Sequence, residues 1–335
     1  MNPKINITEI AKQAGVSIAT VSRAINDPAL VKTETRERIL DIIKSTNYKI
    51  NYVAKNLRTN KSYSIGLIYT SVLMVFYHVI SKGVEDIAIK NSYNVFFCNS
   101  GDDPVKENDY LSLLYEKRVD GIIISPTGKN DDIYKNIISS GIPVCFFDRN
   151  VRGVTADGVF VDNRKGSRQA VEYLLKKGYQ KIGFISGPKR IMTGNERLKG
   201  YMEAHEALGV GVNKKLIQEG DYQYESGYRC AKELLDNNKI DALYIANEPM
   251  AAGALQLVNE KGLRFPKDIG FLMWDDPYWA TLVRPNISTI AQPCYTIGTT
   301  AAELLFKKID KGDSYMDKDS ITITLNTSLV IRDST

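Results

Sequence analysis

The chain has 335 residues, 43% of them hydrophobic and 25% charged, which excludes a largely disordered protein and exceeds the length that one core usually organises. The net charge of +5 lies at one end: residues 1–61 hold 11 Lys and Arg against 5 Asp and Glu, whereas the rest is nearly neutral. A small module with this excess of positive charge is typical of a protein that binds a polyanion.

The first predicted elements are two short helices. Apolar residues of the first helix share one face, at Ile7, Ile10, Ala11 and Ala14. Gly15 permits a tight turn and Ser17 can cap a second helix, whose inward face carries Val21, Ala24 and Ile25. Two short helices joined by a turn that contains glycine indicate a helix-turn-helix motif.

Residues 62–81 follow as an uncharged stretch with many apolar side chains. A membrane helix would need about twenty mostly apolar residues, and this run is interrupted by serines, a threonine, a glycine and a histidine. We therefore interpret it as a buried strand, a loop and the start of a helix. The N-terminus carries charges and no apolar signal segment, so we expect a cytoplasmic protein without membrane contact.

From residue 65 onward, short apolar runs alternate with amphipathic helical stretches. The strand-like runs include IGLIY, NVFFCNS, DGIIISP, PVCFFDR, KIGFISG and DALYIAN. Alternation of this kind is typical of parallel sheets covered by helices on both faces. The number of runs predicts two such sheets, and hence two Rossmann-like subdomains in an α/β body.

Motifs of catalysis and metal binding are not found in the sequence. It has no nucleophile elbow and no phosphate loop, and its two histidines, His78 and His205, lie far apart. The adjacent Asp275 and Asp276 are expected to point in different directions. The four cysteines form no C-x-x-C pair. We expect neither an enzyme nor a cofactor.

Two strings of the N-terminal module carry a family resemblance. ITEIAKQAGVSIATVSRAIND and TRERILDIIKSTNYKINYVAKNLR resemble the DNA-binding signature and hinge of the lactose-repressor (LacI/GalR) family. The resemblance implies a helix-turn-helix domain at residues 1–50, a hinge helix or linker at 51–61 and an effector-binding core at 62–335. It also implies a palindromic DNA operator as partner.

The resemblance assigns roles to individual residues of this module. The second helix would lie in the major groove, with base contacts from Ile18, Ala19 and Arg23. Phosphate contacts would come from Thr8, Ser17, Thr20, Ser22 and Asn26. In the hinge, the implied DNA-binding residues are Asn51, Tyr52, Ala54 and Leu57. Leu57 would wedge into the minor groove together with its copy from a second chain, which requires a homodimer.

The body resembles the core of the same family, which is similar to a periplasmic sugar-binding protein, in strings such as FFDRNV, NERLKGY and PNISTIAQP. The resemblance implies an N-subdomain at about 62–161 and 291–321, and a C-subdomain at about 162–290 and 322–335. A small-molecule effector would bind between them. One wall would supply Ser71, Phe76, Asp148 and Arg149. The other would supply Arg197, Tyr222, Asn247, Glu248 and Asp275.

The identity of the effector is left open at this stage. Forked donors, acidic acceptors and an aromatic ring favour a sugar or sugar phosphate. The sequence departs from the family in the first-wall string SVLMVFY, in Glu248–Pro249 and in MWDD, which favours a more apolar cleft and keeps a nucleoside-like effector open. A secreted sugar-binding protein or a sugar-acting enzyme with the same core is the alternative, and the fused basic module argues against it.

Overall fold

The computed structural model describes residues 6–46, 48, 61–311 and 320–335. Its contacts divide the chain into two compact units, residues 1–61 and residues 62–335. In the described part of the chain, no helix is both long enough and apolar enough to cross a bilayer.

The first unit is called the head, and its described residues form three helices. They are α1 (Ile7–Ala14), α2 (Ile18–Asn26) and α3 (Thr33–Ser45), with a 3-10 turn at Pro28–Leu30 between the last two. Gly15 ends α1 in the left-handed conformation at φ 65°, which allows α2 to start after a single tight turn. The three helices enclose a small core of Ile10, Ala11, Ala14, Val21, Ala24 and Ile39. This arrangement confirms the predicted helix-turn-helix.

The second unit, the core, is built on two six-stranded sheets. The first sheet contains β1 (Ser64–Tyr69), β2 (Asn94–Asn99), β3 (Gly121–Ile124), β4 (Val144–Phe147), β5 (Asp157–Val161) and β11 (Thr322–Leu325). Their order is β11-β5-β4-β3-β1-β2, and all pairs are parallel. One face is covered by α4 (Val75–Lys90) and α11 (Cys294–Lys311), and the other by α5 (Pro104–Glu116) and α6 (Asp131–Ser139).

The second sheet repeats this plan with one exception. It contains β6 (Ile182–Ser186), β7 (Ile217–Glu219), β8 (Ala242–Ile245), β9 (Gly270–Trp274), β10 (Ser288–Ala291) and β12 (Ser328–Val330). The order is β12-β10-β9-β8-β6-β7, and β12 alone runs antiparallel to its neighbour. The helices packed here are α7 (Asn163–Lys176) with α8 (Met192–Ala207), and α9 (Tyr224–Asn237) with α10 (Glu248–Glu260). Short 3-10 turns lie at Lys214–Leu216 and Tyr278–Thr281.

The chain passes between the two lobes three times. The crossings lie between β5 and α7, between β10 and α11, and between β11 and β12. The last crossing differs from the expected boundary at residue 321, because β11 pairs with β5 and so belongs to the first lobe. The fold class is otherwise as predicted: an all-α head and two Rossmann-like subdomains.

Candidate functional site

The exposed side of α2 carries the predicted base-contacting residues. Ser17 caps the helix, since its Oγ accepts a hydrogen bond from the Thr20 backbone N–H at 3.1 Å and lies 2.9 Å from the Thr20 hydroxyl oxygen. The cap fixes the first turn, where Ile18 is 46% exposed. Ala19 and Arg23 are also exposed and lie four residues apart on one helix face. The head therefore presents an apolar pair and a cation on one short helix.

The other predicted DNA-binding residues are distributed as follows. Thr8 is exposed in the first turn of α1, and Ser22 is half-buried in α2. Asn26 is the last residue of α2. The hinge residues Asn51, Tyr52, Ala54 and Leu57 lie outside the described residues.

A cleft between the two lobes contains about 530 Å³ of space, part of it open to solvent. Many of its wall residues follow strand ends, as expected for parallel sheets, and others lie in the helices that begin at Val75, Met192 and Glu248. Eight of the nine predicted effector residues line it, namely Ser71, Phe76, Asp148, Arg149, Arg197, Tyr222, Asn247 and Asp275. The topology thus brings together side chains that are widely separated in the sequence.

Asp148 and Arg149 form the polar centre of the first wall. The Asp148 carboxylate accepts hydrogen bonds from the Tyr77 hydroxyl at 3.2 Å and the Ser125 hydroxyl at 3.3 Å. Arg149 Nη1 pairs with Asp102 at 2.6 Å. Arg149 Nε is buried, lies 3.6 Å from Asp148 Oδ2 and makes no hydrogen bond among the described residues. Because buried N–H groups normally make a hydrogen bond, a ligand oxygen can supply the acceptor here.

Arg197 dominates the second wall. Its guanidinium carbon lies 3.8 Å above the Trp274 ring, and its Nε donates to Asn163 Oδ1 at 2.8 Å. Its Nη1 also donates to the Ala246 carbonyl oxygen. Stacking and hydrogen bonding together hold the planar fork in one orientation, which suits recognition of ligand oxygens.

Tyr222 and Asn247 form a second polar group of this wall. The Tyr222 hydroxyl oxygen lies 2.9 Å from the Thr193 hydroxyl oxygen. The Asn247 side-chain amide donates to the Tyr222 carbonyl at 3.0 Å, while its Oδ1 caps α10 by accepting from the Met250 N–H at 3.2 Å. Both side chains are therefore fixed before a ligand binds.

Asp275 is the buried acceptor at the base of the second wall. It accepts hydrogen bonds from Gln292 Nε2 at 2.6 Å and from the Glu248 backbone N–H at 3.2 Å. Burial is the main cause of its raised pKa, and the nearby Arg197 opposes the shift. Gln292 Oε1 is buried without a hydrogen-bond partner among the described residues, so it can accept from a ligand hydroxyl.

Glu248 is the predicted effector residue that does not line the cleft. Its Oε1 accepts a hydrogen bond from the Trp279 indole N–H at 2.9 Å. Burial raises the pKa of this carboxyl group. The Glu248 backbone N–H donates a hydrogen bond to Asp275, and its Oε2 is buried without a hydrogen-bond partner among the described residues.

Several cleft residues were not predicted from the sequence. They are Thr70, Met74, Tyr77, Asp102, Thr193, Gln223, Pro249 and Gln292. Gln292 directly follows β10, so the rule that sites lie after strand ends could have found it. Tyr77 and Thr193 lie within the first turn of their helices, where periodicity indicates only a buried face.

Four cleft residues have an unusual backbone conformation. Asp102, Asp148, Tyr222 and Asp275 have φ values of 59°, 61°, 70° and 70°, in the left-handed region that non-glycine residues rarely adopt. Such conformations persist where the surrounding structure enforces them, and they concentrate at binding sites. Of the eight described non-glycine residues with a positive φ, four line this cleft.

Two family profiles match the chain. Residues 62–329 match "Periplasmic binding proteins and sugar binding domain of LacI family", and residues 6–51 match "Bacterial regulatory proteins, lacI family". Together they span almost the whole chain.

Similar curated proteins are regulators along their full length. The HTH-type transcriptional regulator RegA of Clostridium saccharobutylicum is 32% identical over 98% of this chain and 99% of its own. Catabolite control protein A of Priestia megaterium is 32% identical over 95% of this chain and 94% of its own. The HTH-type transcriptional repressor PurR of Haemophilus influenzae is 33% identical, with 98% of each chain covered.

Solved structures agree with these relatives. The Lac repressor dimer bound to operator and the anti-inducer ONPF superposes with a TM-score of 0.85 at 25% identity, covering 99% of both chains. The CelR–cellobiose complex superposes with a TM-score of 0.74 at 28% identity, covering 99% of this chain and 100% of that one. The chain thus belongs to the LacI family of bacterial regulatory proteins and is a ligand-responsive, DNA-binding transcriptional regulator.

Proposed function

We propose that the chain is a cytoplasmic repressor of genes of sugar or carbohydrate metabolism, which binds a palindromic operator as a homodimer and is controlled by a sugar. The observation that carries the effector assignment is the set of fixed polar groups around the cleft, contributed by Asp148, Arg149, Arg197 and Asp275. Sugars present many hydroxyl groups that both donate and accept, and this set offers both functions on opposite walls.

The proposed operator contacts rest on the exposed side chains of α2. Arg23 can form two parallel hydrogen bonds with a guanine, and Ile18 and Ala19 can contact thymine methyl groups. Thr8, Ser17, Thr20, Ser22 and Asn26 are proposed to contact phosphates, where a hydroxyl or amide fixes the register. For Asn51, Tyr52, Ala54 and Leu57 the proposal rests on the family resemblance.

The homodimer is supported by an exposed apolar strand. β2 lies at the free edge of the first sheet, and Phe96 and Phe97 are 46% and 47% exposed there. Large exposed aromatic side chains on an edge strand are usually covered by a partner. A second copy is the partner that a two-fold operator requires.

The sugar class is supported by the ligands named for structural neighbours. Three of these neighbours are complexes with cellobiose, with ribose and with D-xylulofuranose. In this chain the aromatic rings of Phe76 and Tyr222 can pack on the C–H face of a sugar ring, while the charged groups bond its hydroxyls. The same rings could stack on a base, so a nucleoside is the second candidate.

A thermal-shift screen of the full chain tests the effector assignment. D-ribose, D-xylulose, cellobiose and adenosine serve as probes, and we expect a pentose or other sugar to raise the midpoint of unfolding while adenosine does not. Stabilisation by adenosine alone would replace the sugar assignment by the nucleoside one. The enzyme alternative requires that the probe be converted. Recovery of the probe unchanged after incubation would therefore show binding without turnover.

Selection from a random duplex library tests the operator assignment. The recovered sequences should contain an inverted repeat, because a two-fold dimer presents two copies of α2. Recovery of sequences without two-fold symmetry would contradict the proposed dimeric binding mode.

A further inference from the structure

One carboxylate binds the first two backbone amides of the core. Asp120 accepts a hydrogen bond from the Ser62 N–H at 2.8 Å on Oδ1 and from the Tyr63 N–H at 2.9 Å on Oδ2. These are the first two amides of the core, directly after Lys61, the last residue of the head unit. Hydrogen bonds to an ionised carboxylate are short and strong, so this pair anchors the chain where it enters β1.

The backbone of Tyr63, which donates one of these two hydrogen bonds, is also strained. Tyr63 has φ 52°, in the left-handed region, although it is a large aromatic residue. Its carbonyl accepts a hydrogen bond from the Asn94 N–H at 2.9 Å, and its ring packs on Tyr93 at a centroid distance of 5.5 Å. Tyr93 in turn packs on Phe306 of α11 at 4.9 Å. A non-glycine residue keeps this backbone conformation only where contacts of this kind hold it in place.

The second lobe contains an internal control for this arrangement. Asp241 precedes β8 as Asp120 precedes β3, and it accepts from the Gln180 and Lys181 amides at 2.8 and 2.9 Å. Gln180 and Lys181 lead into β6 without a positive φ, whereas Tyr63 has one before β1. Both lobes therefore share the aspartate that binds two successive amides before the first strand. The positive φ next to that strand is found only in the first lobe, at Tyr63.

We propose that Asp120 is a positioning residue for operator binding, which fixes the backbone of Ser62 and Tyr63 and thereby the path on which the chain continues into the DNA-binding head. Without this anchor, the backbone of Ser62 and Tyr63 samples more conformations, and DNA binding must order them. The lost entropy lowers operator affinity. The assignment rests on the operator-binding function proposed above.

The test compares Asp120→Asn with Asp241→Asn in the full chain. Asparagine offers one acceptor oxygen in place of two, and its NH₂ group faces the second backbone N–H. Both variants lose the same kind of contact in equivalent places, so we expect similar decreases in the midpoint of unfolding. We expect Asp120→Asn alone to weaken binding to the inverted-repeat duplex selected with the wild type, by about tenfold.

Limited digestion with trypsin supplies a readout that needs no DNA. We expect cleavage after Lys61 to be faster in Asp120→Asn than in the wild type or in Asp241→Asn, because the following amides are no longer held. If the wild type selects no inverted repeat, the operator assignment fails, and the digestion still decides whether Asp120 holds the boundary.

Two results would overturn the positioning role. One is an equal loss of duplex affinity in both variants, which would show a general effect on stability. The other is an unchanged affinity and an unchanged cleavage rate in Asp120→Asn. Should Asp120→Asn not fold, the pair Asp120→Ser and Asp241→Ser is compared in the same way, since serine also offers a single acceptor oxygen.

Discussion

Arg197 illustrates how one cleft side chain is held for binding. The Trp274 ring lies under its guanidinium, and Asn163 and the Ala246 carbonyl accept from two of its nitrogens. The remaining N–H groups of the fork are left for a ligand. Lysine could supply the charge at this position but not the planar fork.

Arg197→Lys is therefore expected to lose effector binding while the cleft keeps its charge. We expect sugar affinity to fall at least about tenfold and stability to fall by about 1–3 kcal/mol, because buried acceptors lose their donors. Isothermal titration with the sugar that gives the largest thermal shift measures the first effect. The control is Arg168→Lys, an exposed residue of α7 paired with Glu172. Equal affinity of both variants would refute the role of the fork.

His205 gives a pH dependence with a definite sign. It is 3% exposed in α8, its Nδ1 lies 2.9 Å from the Tyr201 carbonyl oxygen, and burial lowers its pKa. Below the unfolded value of about 6.5, the unfolded chain binds a proton that the folded chain resists. This residue therefore lowers the stability as the pH falls.

We expect His205→Gln to remove part of the loss of stability between pH 7 and pH 5.5, by up to about 1 kcal/mol. Urea unfolding of the wild type and the variant at both pH values measures the difference. Since carboxylates titrate in both proteins, only the difference between the two pH dependences is informative. A wild-type curve parallel to that of the variant would contradict the assignment.

At the scale of elements, two helices meet at a pair of glycines. A Cβ atom on Gly298 of α11 would lie 2.2 Å from the Ile80 carbonyl oxygen, and one on Gly83 of α4 would lie 2.6 Å from the Tyr295 carbonyl oxygen. Both obstacles are backbone, which moves only with its helix. Phe76 of α4 lines the cleft, and α11 begins just after the cleft residue Gln292. Both helices cover the first sheet, so their close contact fixes Phe76 relative to the start of α11.

Gly298→Ala is expected to destabilise the core by about 1–3 kcal/mol, since the added methyl group forces the helices apart. Gly211→Ala is the matched control, because the added atom would meet no neighbour within 4 Å and its φ is not positive. That variant should remain within about 0.5 kcal/mol of the wild type. Urea unfolding of both variants measures the contrast, and its absence would show that the helices can separate without cost.

The elements also show where sequence reasoning succeeds and where it stops. Strands such as β1 and β4 are buried along their whole length, so their apolar runs are visible without a structure. β11 alternates between exposed and half-buried positions, and its partner β5 lies about 160 residues away, so the sequence did not indicate its lobe. Such a pairing is decided by tertiary contacts.

The cleft residues likewise fall into some that the sequence predicts and some that it does not. Asp148 and Asp275 were predictable, because each directly follows a buried strand, and Asp148 also lies in the family string FFDRNV. Tyr77 was not, although its hydroxyl donates to Asp148 across 71 residues of sequence. Its place within α4 suggested only a core aromatic residue. Partnerships between side chains on distant elements follow from packing, which periodicity does not encode.

At the scale of the whole molecule, the head and the core are separate compact units with their own hydrophobic clusters. Residues 62–335 contain both sheets and every described cleft residue, whereas the excess of positive over negative charge lies in residues 1–61. The ligand is thus recognised by the core and the DNA by the head, and each unit has its own hydrophobic cluster.

A fragment of residues 62–335 should therefore fold and bind sugar as the full chain does. We expect the same thermal shift with the selected sugar and no measurable binding to the selected duplex in a fluorescence titration. The full chain is the control in both assays. Failure of the folded fragment to bind sugar would show that the head contributes to the ligand site.

The left-handed conformations of Asp148, Tyr222 and Asp275 also bear on how this protein can be engineered. Each non-glycine residue in that region costs of order 1 kcal/mol or more, and glycine at the same position is free of the cost. Laboratory evolution for heat resistance alone should consequently favour glycine there. The selected protein would be more thermostable but would no longer respond to its inducer or corepressor. Such a selection therefore needs a parallel screen for the response to the effector.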